Sequence, residues 1–97
     1  MKILWTRESL TNLADIEAFI SEDNPEKAIE FIDYLIKQCE RLIQNPYSGR
    51  VIPEISNNDI RELILKKYRI VYRIQNHEIH ILTVFESHKL LSLKDEC

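Results

Sequence analysis

The 97-residue chain has one glycine, two cysteines and no long apolar run, and each shortage excludes a class of protein. No apolar stretch approaches the roughly 18 residues that a membrane-spanning helix needs. Residues 1–8 carry charges too early for a secretory signal. A single glycine also leaves no glycine-rich phosphate loop. The sequence therefore predicts a cytoplasmic protein with no membrane contact.

The two cysteines show neither disulfide pairing nor the spacing of metal ligands. Cys39 falls at an apolar helical spacing, which favours a place in the core, and Cys97 is the last residue of the sequence. The chain contains no nucleophile elbow and no metal-binding motif. We therefore expect no cofactor and no metal.

Charge is spread unevenly along the chain, whose net charge is −3. Residues 1–48 carry five Lys/Arg against nine Asp/Glu, whereas residues 50–89 carry seven against five. Between Arg61 and Arg73 there are five basic residues and one acidic residue. A protein that grips long nucleic acid usually has a broader positive surface. The sequence predicts a local basic patch instead.

Two helices are predicted in the first half. Residues 3–5 form a short apolar strand, and Thr6 can cap a helix that runs to about Ser21. Asn24 can cap a second helix that starts at Pro25 and runs to about Gln44. The apolar faces of the two helices consist of Leu10, Leu13, Ile16 and Ile20, and of Ala28, Ile32, Leu35, Cys39 and Leu42, widened by Ile29, Ile36 and Ile43. The short link predicts an antiparallel hairpin.

Three antiparallel strands are predicted in the second half, at residues 61–65, 68–74 and 79–85, after a turn at Gly49 and a loop over residues 51–59. The predicted fold is one α+β domain, residues 1–97, with the order β-α-α-β-β-β. An N-terminal strand and an antiparallel helical hairpin (about 7–45) pack on a small antiparallel sheet (about 60–86). A tail, residues 87–97, follows the sheet.

Several short motifs together resemble the RelE/ParE toxins of type II toxin–antitoxin systems, and the ParE branch more closely. They are Ile3-Leu4-Trp5-Thr6, Asp23-Asn24-Pro25 followed by Ala28, Asn45-Pro46-Tyr47-Ser48-Gly49-Arg50, Pro53-Glu54, Arg61-Glu62-Leu63 and Tyr68-Arg69-Ile70-Val71-Tyr72-Arg73. The resemblance implies a cognate antitoxin, which would neutralise the chain in a hetero-oligomer. It also implies one of two targets, which are DNA gyrase for ParE-like toxins and messenger RNA on the ribosome for RelE-like toxins.

Arg69 is the sharpest candidate for function, because it matches the arginine that holds the scissile phosphate in the ribonucleases of the resembled family. The fixed fork of an arginine suits that task. The alternative is a strand arginine paired with Glu62 or Glu78. Tyr68 and Tyr72 share one face of the same strand, where they either stack on a base or fill the core.

His88 and Lys89 follow the last strand, near where a RelE-like catalytic group would lie. RNA cleavage needs a base, an acid and positive charge on the phosphate. For a ribonuclease the candidate residues are Arg61, Arg69, Arg73, His88 and Lys89. His77 and His80 are interpreted as bystanders.

The leading hypothesis is a ParE-like gyrase inhibitor without chemistry of its own. Its target- or partner-binding residues are predicted to be Arg50, Arg61, Arg69, Arg73, His88 and Lys89. The first alternative is a metal-independent, ribosome-dependent endoribonuclease that acts on messenger RNA. The second is a decayed toxin that only binds its antitoxin, because residues 86–89 replace the small, basic stretch found in many ParE-like chains.

Overall fold

A computed structural model describes residues 1–87, in which two helices pack on one face of a five-stranded sheet. The elements are β1 (Lys2–Trp5), α1 (Arg7–Ser21), α2 (Pro25–Glu40), two 3₁₀ turns (Arg41–Ile43 and Pro46–Ser48), β2 (Arg50–Val51), β3 (Ile60–Leu65), β4 (Tyr68–Gln75) and β5 (Glu78–Glu86). The predicted α+β fold class is therefore confirmed.

Both predicted helix caps are confirmed. Thr6 Oγ1 accepts a hydrogen bond from Ser9 N at 3.2 Å, and Asn24 Oδ1 accepts one from Lys27 N at 3.1 Å. The backbone N–H groups of a first helical turn lack partners within the helix, so each cap contributes about 1 kcal/mol. The hydroxyl of Thr6 also donates to Ile81 O at 2.7 Å, which ties the start of α1 to β5.

The second helix ends earlier than predicted. Regular α-helix stops at Glu40, and the predicted last turn is instead a 3₁₀ turn over Arg41–Ile43. Pro46 disfavours helical backbone at the residue before it, and helices often tighten to 3₁₀ geometry where they end. The hairpin thus closes within the predicted limits, but its last turn is tighter.

The sheet has the order β1-β5-β4-β3-β2. The three predicted strands β3, β4 and β5 are antiparallel as expected. Two features were not predicted: β1 joins β5 in parallel, and β2 adds two residues at the far edge. A parallel neighbour needs a long crossover, which here consists of the helical hairpin followed by β2, β3 and β4.

The main core lies between the hairpin and the sheet. Its buried residues are Leu13, Ile16, Leu35, Cys39, Leu42, Tyr68, Ile70, Tyr72, Ile79, Ile81 and Val84. Cys39 is confirmed as a core residue, and burial raises the pKa of its thiol to about 12. Leu10, Ile29 and Ile43 remain exposed at the margins of the helical stripes, because only a limited arc of each helix faces the sheet.

Candidate functional site

The sheet face that points away from the helices, here called the outer face, carries the predicted basic residues. Alternation along β4 sends Tyr68 and Tyr72 into the core, where they are 4% and 0% exposed. It sends Arg69 and Arg73 to the outer face. Across β3, the residues opposite Arg69, Val71 and Arg73 are Ile64, Glu62 and Ile60, respectively.

Glu62 is a buried carboxylate on the outer face, held between two arginines. Its side chain is 2% exposed, with Arg50 Nε 2.8 Å from Oε2 and Arg69 Nη1 3.5 Å from Oε1. The contact to Arg50 is an ion pair rather than a directed hydrogen bond, since no donor hydrogen points at Oε2. A buried charge needs such partners, because water no longer solvates it.

Arg69 is thus committed to Glu62, which was one of the two interpretations of its role. Its side chain is 34% exposed. Within residues 1–87 its buried Nε atom makes no hydrogen bond. Charge therefore holds Arg69 in place, and part of its guanidinium still faces solvent.

Arg61 braces the loop before β3. Its Nη1 atom donates to Tyr47 O at 3.0 Å and to Gly49 O at 2.9 Å. Its Nε and Nη2 atoms donate to Asn58 O at 3.0 Å and to Asn58 Oδ1 at 2.7 Å. The guanidinium carbon also lies 4.9 Å from the centre of the Tyr47 ring. Four hydrogen bonds give Arg61 a clear structural task.

The lone glycine is required for space rather than for an unusual backbone angle. Gly49 N donates to the Tyr72 hydroxyl at 3.0 Å, and that hydroxyl donates to Pro46 O at 2.7 Å. A β-carbon at position 49 would lie 2.5 Å from the Tyr72 oxygen and 2.8 Å from Glu62 O. Gly49 therefore lets the turn approach the sheet closely enough for Tyr72 to hold it.

A second, smaller apolar cluster covers part of the outer face. Its buried residues are Ile52, Ile60 and Val71, with Ile55, Leu82 and Phe85 packed against them. Ile52 and Ile55 come from the loop between β2 and β3, so this loop folds over the sheet. The outer face is therefore a partly covered surface beside a braced loop.

The four predicted binding residues that the structure describes do not converge on one point. Arg50 and Arg69 meet at Glu62. Arg61 instead turns to the helix side, where it lies opposite Tyr72 in register. Arg73 is exposed on the outer face. The remaining two, His88 and Lys89, lie outside the described residues, and the functional roles of all six stay predictions.

The two histidines interpreted as bystanders, His77 and His80, lie at the start of β5. His77 occupies the turn with a φ of 61°. His80 Nε2 lies 3.0 Å from Glu78 Oε1, and the Lys2 ammonium lies 3.7 Å from Glu78 Oε2. The hydrogen bond with His80 and the charge of Lys2 lower the pKa of Glu78. This cluster fastens β1 to β5.

A second surface, which sequence reasoning missed, is a groove beside the end of α1. It has a volume of about 510 Å³. Its lining residues are Phe19, Ile20, Phe31, Lys66, Lys67 and Tyr68. An adjoining groove of about 410 Å³ shares Phe19 and Tyr68 and continues along α1 past Asn12 and Asp15. One feature of the sequence could have indicated this groove: Phe19 lies on the polar side of α1.

Among residues 1–87, no group of three His, Cys, Asp or Glu side chains is placed to hold a metal ion. In the same part of the chain, no helix is both long and apolar enough to cross a membrane.

Comparisons with known proteins cover almost the whole domain. A family model described as "ParE toxin of type II toxin-antitoxin system, parDE" matches residues 3–90. A protein of Sinorhizobium fredii (strain NBRC 101917 / NGR234) named "Putative toxin Y4kP" is 34% identical over 90 residues, which are 91% of this chain and 90% of that protein. A solved chain of the chromosomal ParDE TA system from P. aeruginosa gives a TM-score of 0.74 at 26% identity, with 89% of this chain and 95% of that one covered.

Proposed function

The chain belongs to the ParE toxin family of type II toxin–antitoxin systems, and from that premise we propose that it inhibits DNA gyrase and is neutralised by a cognate antitoxin. It acts by binding proteins and carries out no chemistry of its own. The proposed setting is the cytoplasm, where gyrase and the antitoxin are both available.

The observation that carries the choice of gyrase over messenger RNA is that three of the four candidate arginines in residues 1–87 already have partners within the chain. A ribonuclease would need them to hold a phosphate, because its transition state gathers negative charge. Here Glu62 takes Arg50 and Arg69, and the loop takes Arg61. A surface built this way supports contact with a protein better than cleavage of RNA.

Neutralisation by an antitoxin is supported by the exposed apolar side chains of the helical hairpin. Leu10, Phe19 and Ile29 are 53%, 63% and 62% exposed, respectively. Phe19 shares a groove with Phe31 and Tyr68, and contiguous apolar surface of this kind marks places where a partner docks. A domain of this size also buries a smaller share of its surface than a large one, so a bound antitoxin would add to its stability.

Two assays test the proposed target. One follows supercoiling by purified gyrase, and the other follows cleavage of messenger RNA on translating ribosomes. We expect the wild-type chain to inhibit supercoiling and to leave messenger RNA intact. His88→Ala should retain most of the inhibition, because no proton transfer is needed. Arg69→Ala should lose part of it, because Glu62 then keeps only one of its two cations.

The matched control is Arg41→Ala, which removes an exposed arginine whose described hydrogen bond, to Gln38 at 3.4 Å, is long. Each variant is first shown to fold and to bind the antitoxin. Ribosome-dependent cleavage that vanishes in Arg69→Ala or His88→Ala, with gyrase unaffected, would overturn the gyrase proposal in favour of a ribonuclease. Inactivity in both assays would favour a toxin that only binds its antitoxin.

A further inference from the structure

Arg73 is the one candidate arginine without a partner in the part of the chain that the structure describes. It is exposed on the outer face, and no ion pair joins its guanidinium to another side chain of residues 1–87. Arg50 and Arg69 lie against Glu62, and Arg61 holds the loop before β3. Among the candidate arginines, Arg73 is therefore the one whose charge is available to another molecule.

The strand register places Arg73 in a row of side chains that crosses four strands. Its partner on β3 is Ile60 and its partner on β5 is His80, which is paired in turn with Leu4 of β1. These four residues are here called the Arg73 row. Ile60 is buried in the smaller apolar cluster, whereas Leu4 is 39% exposed at the edge of the sheet. The guanidinium therefore stands on a strip of the outer face that is apolar at both ends.

The acidic residues beside the Arg73 row already have partners. Glu78 Oε1 lies 3.0 Å from His80 Nε2, and Glu78 Oε2 lies 3.7 Å from the Lys2 ammonium. Asp59, which directly precedes Ile60, accepts a hydrogen bond from the Tyr47 hydroxyl at 3.0 Å. Within residues 1–87 no carboxylate neutralises Arg73, so a carboxylate that does so comes from another molecule.

The charge of the outer face is opposite to that of the whole chain. The chain has a net charge of −3. On the outer face, however, four of the six charged strand residues are basic, and the six are Lys2, Arg50, Arg69, Arg73, Glu62 and Glu78. A positive face on an acidic chain attracts an acidic surface and turns this face toward it during encounter.

We propose that the Arg73 row is a contact point for gyrase, and that it receives a segment of gyrase in which a carboxylate stands beside an apolar side chain. The inference rests on the proposed function, because it takes gyrase as the occupant. The guanidinium of Arg73 forms two charge-assisted hydrogen bonds with the carboxylate. Leu4 buries its exposed carbon atoms against the apolar neighbour. Arginine is enriched among the interface residues that contribute most to binding.

Two other occupants fit the Arg73 row less well. A nucleic acid presents a series of phosphates and is bound by several free cations, whereas Arg50, Arg61 and Arg69 already have partners within the chain. A second copy that met this one face to face would bring two basic surfaces together, and like charges oppose that contact.

The test measures inhibition of supercoiling by purified gyrase and the affinity of the full chain for gyrase at two salt concentrations. The charge variant is Arg73→Glu, and its matched control is Lys27→Glu, at an exposed lysine near the start of α2. Arg73→Lys keeps the charge but removes the guanidinium fork. The apolar variant is Leu4→Ser, and its control is Leu10→Ser, at a leucine of α1 that is 53% exposed. Thermal melts confirm that each variant folds.

We expect Arg73→Glu to raise the concentration needed for half-inhibition by roughly 30-fold and to reduce the salt dependence of binding. Arg73→Lys should raise this concentration by about 3-fold to 10-fold, because an ammonium keeps the charge but lacks the paired donors. Leu4→Ser should raise it by roughly fivefold. Both controls should stay within about twofold of the wild type.

Five results would overturn the inference. Inhibition that survives both Arg73→Glu and Leu4→Ser would remove the Arg73 row and leave the proposed function standing, whereas a wild-type chain that never inhibits gyrase would remove both. An equal loss in Lys27→Glu and Arg73→Glu would reduce the effect to net charge.

The other two results would change the occupant. If the chain alone binds a short DNA duplex and Arg73→Glu abolishes that binding, the occupant is a nucleic acid. If the chain forms an oligomer that Arg73→Glu dissociates, the occupant is a second copy.

Discussion

Opposite faces of β4 are stabilised in different ways. On the helix side, Tyr68, Ile70 and Tyr72 are almost fully buried among apolar side chains. On the outer face, Arg69 is held against a buried glutamate and Arg73 is exposed. The same strand alternation therefore produces a closed core on one side and a charged, partly covered surface on the other.

The two faces differ in the interaction that a substitution removes. Burial of apolar area stabilises the helix side, and this contribution grows with every carbon removed from water. The outer face depends on the pairing of charges, where removing one partner exposes the cost of burying the other. Substitutions on the two faces should therefore differ in size and in their response to pH.

The largest effect is expected on the helix side, at Leu35, which is 0% exposed. Leu35→Ala should lower the free energy of unfolding by about 2–5 kcal/mol, because it removes buried carbon and leaves a cavity. Urea denaturation measures this change. The matched control, Ile29→Ala, alters a residue on the same helix that is 62% exposed, and it should cost less than about 0.5 kcal/mol. An equal loss of unfolding free energy in the two variants would mean that α2 does not turn Leu35 toward the core and Ile29 toward solvent.

A smaller effect is expected on the outer face, at Glu62. Glu62→Gln leaves Arg50 and Arg69 facing each other without an anion between them, and it should cost about 1–3 kcal/mol. This cost is smaller than that of Leu35→Ala because solvent screens the two arginines, whose side chains are 58% and 34% exposed. Glu54→Gln, at an exposed position in the loop, serves as the control in the same urea titration. An unchanged free energy of unfolding would show that the ion pairs of Glu62 contribute no net stability.

Tyr72→Phe probes a polar group that the helix side buries in its core. The variant removes the hydroxyl that accepts from Gly49 N and donates to Pro46 O. It should cost about 1–2 kcal/mol, because Gly49 N is left buried without a partner. Tyr34→Phe, on the hairpin, is the control. A thermal melt of Tyr72→Phe that matches the wild type would contradict the role given to this hydroxyl.

The smallest effect is expected at Glu78, whose pKa is lowered from 4.5 by His80 and Lys2. A carboxylate with a lowered pKa in the folded state stabilises the protein above its ordinary pKa, and this contribution is lost as the pH falls through the folded value. Glu78→Gln should therefore be slightly less stable than the wild type at pH 7. The gap should narrow as the pH falls below the ordinary value of 4.5 and close once the pH is below the lowered pKa of Glu78. A difference in stability that grows as the pH falls would contradict the lowered pKa assigned to Glu78.

Features that depend on neighbouring residues could be predicted from the sequence. Thr6 and Asn24 were identified as caps, because a cap needs only a side chain three residues before the backbone N–H that it binds. The burial of Tyr68 and Tyr72 followed from alternation, although base stacking was an open alternative. Both kinds of feature are encoded within one short stretch of chain.

Features that join distant elements could not be predicted. The burial of Glu62 depends on arginines from two other strands, and only its position between Ile60 and Ile64 indicated that it shares an apolar face. The groove beside the end of α1 likewise needs Phe19 and Phe31 from separate helices. The roles of His88 and Lys89 stay predictions.

The parallel pairing of β1 with β5 sets an order of events during synthesis. Ile3 pairs with Ile79, so one edge of the sheet stays incomplete until the last strand has been made. At about 5–20 residues per second, that delay is roughly 4–15 s. Nascent chains stalled before Glu78 should therefore be cleaved readily by protease, and chains stalled well beyond Glu86 should resist. Resistance in the shorter chains would contradict this order. The domain would then become competent only after β5 has been made, however early its helices form.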